Sequence, residues 1–153
     1  LAARRRLIRH LAARRKTVRE AQSYLERLGF APDAVETAVA AARELGLLDD
    51  ARFAESLRRT HERVGLRGPR AIRHDLLTRG VDPETADAAV QPSCDPETQR
   101  VNARRAAERR AAALRTEPPA KARQKLQAFL LRKGYDADIA TEVTRQLLGE
   151  DPE

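Results

Sequence analysis

Aromatic side chains make up only 3% of these 153 residues, and neither tryptophan nor methionine occurs. Any core must therefore be assembled from Leu, Val, Ile and Ala, and it will be thin. The single cysteine, Cys94, rules out an intramolecular disulfide and any CxxC zinc or redox site, and it points to a reducing compartment. No stretch approaches the roughly eighteen consecutive apolar residues of a membrane span. The opening residues Leu1-Ala2-Ala3-Arg4-Arg5-Arg6 lack the apolar core of a secretory signal. A cytoplasmic protein with no membrane association is expected. Without a methionine, the chain reads as starting inside a longer product or after an unusual start, with Leu1 an artificial boundary. A glycine-rich phosphate loop is missing too. His10, His61 and His74 have no metal-ligand spacing with one another or with Cys94, and no base is evident beside that thiol. We expect no enzyme, no metal and no cofactor.

Charge, by contrast, is abundant. Thirty Lys and Arg face twenty-three Asp and Glu for a net +7, and 35% of the residues are charged. Such a balance draws a chain toward polyanions, with nucleic acid first among them. The 41% of hydrophobic residues suffices for one modest core or several small ones.

The apolar spacing is helical throughout, as in Leu7, Ile8 and Leu11, or Phe53 and Leu57, and no segment alternates like a strand. Thr17 and Glu20 have capping-box spacing, Asp82-Pro83 and Asp95-Pro96 set a cap before an N1 proline, and Gly68-Pro69 does likewise. Gly29, Gly80 and Gly134 follow helical runs as C-terminal caps. These signals predict an all-α fold of nine helices, near residues 2–15, 17–28, 32–45, 49–64, 68–79, 83–90, 96–115, 119–133 and 137–148.

The same glycines disclose a repeat. Tyr24-Leu25 before Gly29-Phe30 is echoed by Phe129-Leu130 before Gly134-Tyr135, and by Leu76 before Gly80-Val81, at periods of 51 and 54 residues. One helix before each helix-Gly-helix pair gives three three-helix repeats, at residues 1–47, 48–92 and 93–153. Units this small share buried surface with their neighbours, so an elongated tandem array is expected. Their net charges are +5, 0 and +2, which concentrates basic character at the N-terminal end.

Three basic runs are candidate contacts for DNA or an acidic partner. The first is Arg4, Arg5, Arg6 and Arg9, pointing away from Leu7, Ile8 and Leu11, with Arg14, Arg15 and Lys16 beyond. The second is Arg58, Arg59, Arg63, Arg67, Arg70 and Arg73, and the third is Arg104, Arg105 and Arg109. Clustered guanidinium groups suit phosphate or carboxylate, while an ordinary solvated helix face accounts for the same pattern. All five aromatics fall at periodic core positions, so binding to single- and double-stranded DNA should be driven by the backbone and have little sequence specificity.

Glu44-Leu45-Gly46-Leu47-Leu48-Asp49-Asp50-Ala51-Arg52-Phe53-Ala54 resembles the central signature of the RecX family of recombinase regulators. The resemblance continues in Gly68, Ile72, Leu76 and Gly80, and in Leu25 and Gly29 after the entry at residues 14–19, where Thr17 stands at a position the family usually gives to Ser. It implies three tandem three-helix repeats in a non-enzymatic, monomeric modulator of the recombinase RecA. Such a modulator binds the groove of the nucleoprotein filament and lowers its ATPase, strand-exchange and co-protease activities, and so acts on recombinational repair and the SOS response. Within the signature, Asp49 and Asp50 stand where a helix begins and are read as caps, and Leu47, Leu48 and Phe53 as a hydrophobic joint, so the signature, Gly46 included, is assigned a structural role. The rival reading is a helix-turn-helix DNA binder, although the segments at residues 35–42 and 85–90 lack the Arg, Asn or Gln that reads base edges.

Overall fold

The computed structural model describes residues 1–150 and residue 152. Among these, nine α-helices and no strand are present: α1 (Ala2–Ala13), α2 (Val18–Arg27), α3 (Pro32–Glu44), α4 (Asp50–Arg63), α5 (Pro69–Thr78), α6 (Pro83–Val90), α7 (Pro96–Ala111), α8 (Pro119–Arg132) and α9 (Ala137–Leu148). Several of the starts are set by side chains. Thr17 Oγ1 accepts from the Glu20 amide at 3.1 Å while Glu20 Oε1 accepts from the Thr17 amide at 3.0 Å, a reciprocal capping box. Asp82 accepts from the Thr85 amide and Asp95 from the Thr98 amide, each at 3.0 Å. The residues at 91–94 form a 3₁₀ turn: Ser93 is buried, and its hydroxyl donates to Glu62 Oε2 at 2.5 Å. Helix α7 ends earlier than its arginine-rich sequence predicts, in a second 3₁₀ turn at Ala112–Leu114.

The chain forms two compact units. One takes in Leu1–Ser56 and Asp75–Ala89, so that α4 and α5 supply residues to both units. Its core joins Leu7 and Leu11 of α1 to Leu25 of α2, Val35 and Val39 of α3, and Leu48. The other takes in Leu57–His74 and the described residues from Val90 on. Its core sets Leu126 and Leu130 of α8 and Ile139 and Val143 of α9 against Ala103, Ala106 and Ala107 of α7. Weak packing is the simple expectation for a helix as charged as α7, yet its buried face is made of alanines, and small side chains let α8 and α9 come close. Buried Gln99 on the same face bonds Asp136 twice, through Nε2 to Oδ2 and from the Asp136 amide to Oε1, both at 3.0 Å, and so fixes the start of α9.

Two contacts of the same kind recur one repeat apart. In the first unit, the Thr17 hydroxyl donates to the carbonyl of Arg79 at 2.6 Å. In the second, the Gly68 amide donates to the carbonyl of Lys133 at 2.7 Å, followed by Arg70 N to Gly134 O at 3.1 Å. Thr17 and Gly68 both stand just before a middle helix, and Arg79 and Lys133 both stand just before a C-terminal glycine. The second contact sets backbone against backbone: a Cβ on Gly68 would lie 2.5 Å from Gly134 O, and Gly134 itself has φ +99. Only glycine fits either position.

Candidate functional site

Helix α1 buries Ala3, Leu7 and Leu11 and leaves Arg4, Arg5, Arg6 and Arg9 exposed, as its 3.6-residue periodicity requires. Arg14 and Arg15 are exposed beyond its end and Lys16 is half-buried. Arg5, Arg6 and Arg9 border a cavity of about 320 Å³ together with Leu28 and Phe30. Phe30 therefore stands beside arginines instead of being confined to the core, a juxtaposition that its place after Gly29 does not reveal. His10 is stacked on Tyr24 with ring centroids 3.7 Å apart, a half-buried packing position.

The middle run divides. Arg58 is only 9% exposed, and its guanidinium pairs with Glu62 at 3.1 Å, so it stands inside the fold and not among the surface contacts. Arg70 pairs with Asp136 at 3.3 Å on an exposed face. Arg59, Arg63 and Arg67 are exposed and Arg73 is half-buried. On α7, Arg104 pairs with Glu108 at 3.1 Å, and Arg105 and Arg109 are exposed.

Folding of the second unit brings members of different runs together. Around the Lys133 ammonium, whose hydrogen bond goes to the Gly65 carbonyl, lie Arg67 from the connection after α4 and Arg109 from α7. Burial first, and the charges of Arg67 and Arg109 after it, hold the Lys133 ammonium below the usual lysine range. Arg110 and Lys133 both approach the Phe129 ring, at 5.6 and 5.9 Å from its centroid. A cavity of about 220 Å³ opens among Leu66, Ala106, Arg109, Arg110, Phe129 and Lys133. Like charges gathered on a partly desolvated amine favour an anionic visitor, because the anion relieves the repulsion that the fold imposes. Lys133 is absent from the runs read in the sequence. Its register was the available signal, since it precedes Gly134 as Arg79 precedes Gly80.

The signature residues take several roles. Gly46 has φ +73 and ends the turn after α3, while Leu48 and Phe53 are buried. Asp49 caps its own helix, accepting from the Arg52 amide at 3.1 Å. Asp50 reaches further: its Oδ1 accepts from the Val18 amide at 3.0 Å, which caps α2 and not α4. Burial raises the Asp50 carboxyl above its ordinary value, and the bond from Val18 partly offsets this. Leu47 departs from the expected joint, being 42% exposed. Among the described residues no group of His, Cys, Asp and Glu is arranged to hold a metal ion, and no helix is long and apolar enough to cross a membrane.

The family model for the second three-helix domain of RecX matches residues 49–90, and that for the third three-helix domain matches residues 97–144. The regulatory protein RecX of Lactobacillus delbrueckii subsp. bulgaricus is 31% identical over 145 residues, covering 93% of this chain but 52% of that protein, so the chain spans about half the length of this relative. The regulatory protein RecX of Stenotrophomonas maltophilia is 36% identical over 135 residues, with 88% of this chain and 80% of that protein covered. In fold, the crystal structure of RecX from Lactobacillus salivarius is alike at a TM-score of 0.84 and 23% identity, over 95% of this chain and 94% of that one.

Proposed function

The chain belongs to the RecX family, and on that premise we propose that it is a regulator that binds a RecA-type recombinase filament along its groove and lowers ATP hydrolysis, strand exchange and co-protease activity. It acts in the cytoplasm as a monomer, without enzymatic chemistry or cofactor, and it tunes recombinational repair and the SOS response. The carrying observation is the convergence of Arg67, Arg109 and Lys133 in one compact unit, a basic focus drawn from separate parts of the sequence. With the exposed arginines of α1, it supplies cations for DNA phosphates and for acidic surface on the protein partner.

The division into repeats at residues 1–47, 48–92 and 93–153 belongs to the same proposal. It is supported by the matched second and third three-helix domains and by the equivalent contacts Thr17–Arg79 and Gly68–Lys133. Several contacting repeats engage a filament multivalently, so that weak single contacts add through effective concentration.

The test is DNA-stimulated ATP hydrolysis by the cognate recombinase, titrated with this chain. Inhibition that saturates is expected, with a parallel loss of strand exchange; unchanged activity at saturating chain overturns the proposal. The acidic residues Asp33, Glu36 and Glu44 on α3, and Glu84 and Asp87 on α6, argue against a helix-turn-helix reader. Preference for one duplex over random sequence by about 10³ would favour that reader instead.

A further inference from the structure

The signature turn carries an exposed apolar element that its capping role leaves unexplained. Leu45 and Leu47, on either side of Gly46, are 56% and 42% exposed. Leu47 borders a cavity of about 240 Å³ whose other apolar walls are Leu11 and Phe53. Arg15, Lys16 and Arg52 stand around it, with Asp49 as the single acid. Every one of these residues lies in the first compact unit.

The volume is below the roughly 300 Å³ at which small-molecule sites begin, and it suits a side chain. Three cations to one carboxylate select an acidic visitor, and the leucines select an apolar one. A nucleic acid meets these requirements poorly. Phe53 is buried with one ring face under the Arg79 guanidinium, 4.6 Å from the centroid, so no aromatic platform is open to a base. Asp49, whose Oδ1 accepts from the Arg52 amide, has a further oxygen that can accept from the N–H of a peptide.

We infer that the cleft between the end of α1 and the signature turn is a docking site for an acidic peptide segment of a protein partner, seating an aliphatic side chain between Leu11 and Leu47 while its carboxylates meet Arg15, Lys16 and Arg52. The inference rests on the regulatory reading above and assigns to the signature turn a share of partner recognition.

The probe is a short fluorescein-labelled peptide of alternating glutamate and leucine, followed by polarisation on the full chain, with a glutamine-for-glutamate version as control. Binding is expected for the acidic peptide and at least about tenfold weaker binding for the control. Leu47→Ser and Arg15→Glu should each weaken the acidic peptide by about tenfold, with the circular dichroism spectrum retained because both side chains are exposed. Leu47→Ser should leave binding of oligothymidylate unchanged. Peptide affinity that neither substitution alters, or an equal loss of oligothymidylate binding in Leu47→Ser, overturns the inference. Peptide binding requires no recombinase, so the two readings fail separately. A chain that inhibits the recombinase but ignores the peptide refutes the docking site alone; one that binds the peptide without inhibiting refutes the regulatory reading alone.

Discussion

Replacing Thr17 by valine keeps the volume and branching of the side chain and deletes only its hydroxyl. That hydroxyl makes two bonds at once: it accepts from the Glu20 amide at 3.1 Å and donates to the Arg79 carbonyl at 2.6 Å. The residue is 0% exposed, so water cannot take its place. Loss of the N-cap costs about 1 kcal/mol, and the orphaned Arg79 carbonyl costs a further ~1–3 kcal/mol. Together these predict destabilisation of about 2–4 kcal/mol and a fall in Tm of about 5–10 °C for a chain of this size. Thr17→Ser keeps both bonds and loses one methyl, so its cost stays within about 1 kcal/mol. Urea denaturation followed by circular dichroism measures both variants. If Thr17→Val came within about 0.5 kcal/mol of wild type, the hydroxyl would not hold α2 to the end of α5, and the pairing of equivalent joints would lose its better-defined member.

Three further outcomes follow from the geometry. Gly134→Ala places a Cβ against the Ala71 backbone at φ +99 and should cost at least about 2 kcal/mol; Gly29→Ala, at φ +85 with open space around it, should cost only about 1 kcal/mol, both read by thermal melting. Arg67→Ala and Arg109→Ala should each reduce the slope of log affinity against log salt for duplex DNA by about 0.9, and unchanged slopes would remove them from the phosphate contacts. Asp50→Asn keeps an oxygen for the Val18 amide and removes a half-buried charge. Because burial raises the Asp50 pKa, the folded state holds its proton more tightly than the unfolded chain does, and the ionised form lowers stability above the folded-state pKa. The substituted protein should therefore melt higher near pH 7. Its advantage should shrink as pH falls toward the ordinary 3.8, and a pH-independent difference would contradict this origin.

The helices were legible because their ends are written locally. Thr17 with Glu20, the Asp-Pro pairs and the C-terminal glycines each act within a few residues of themselves, and the observed boundaries follow them. Long-range partners leave no such mark. Asp50 caps a helix that begins 32 residues earlier, so its neighbours in sequence suggest only the cap of its own helix. Arg58 looks like any other arginine of its run, and only the fold brings Ser93 to its partner Glu62 and buries the group. The leucine pair of the signature is equally ambiguous, since one of two adjacent apolar residues at a turn must face outward. Leu48 turned inward and Leu47 did not. Lys133 was hidden for another reason: a single lysine before a glycine resembles a helix-end charge, and its focus forms only when Arg67 and Arg109 arrive from elsewhere.

The most direct measurement compares the affinity of this chain, labelled with a fluorophore at Cys94, for recombinase filaments on single-stranded DNA with its affinity for the same DNA alone, at physiological salt. Cys94 is exposed and lies outside the basic clusters, so the label leaves them intact. A filament regulator with weak phosphate contacts of its own should bind filaments at least about tenfold more tightly than naked DNA, because contacts to protein and DNA add on one ligand. Equal affinity for filament and naked DNA would contradict it and leave a nonspecific DNA-binding protein.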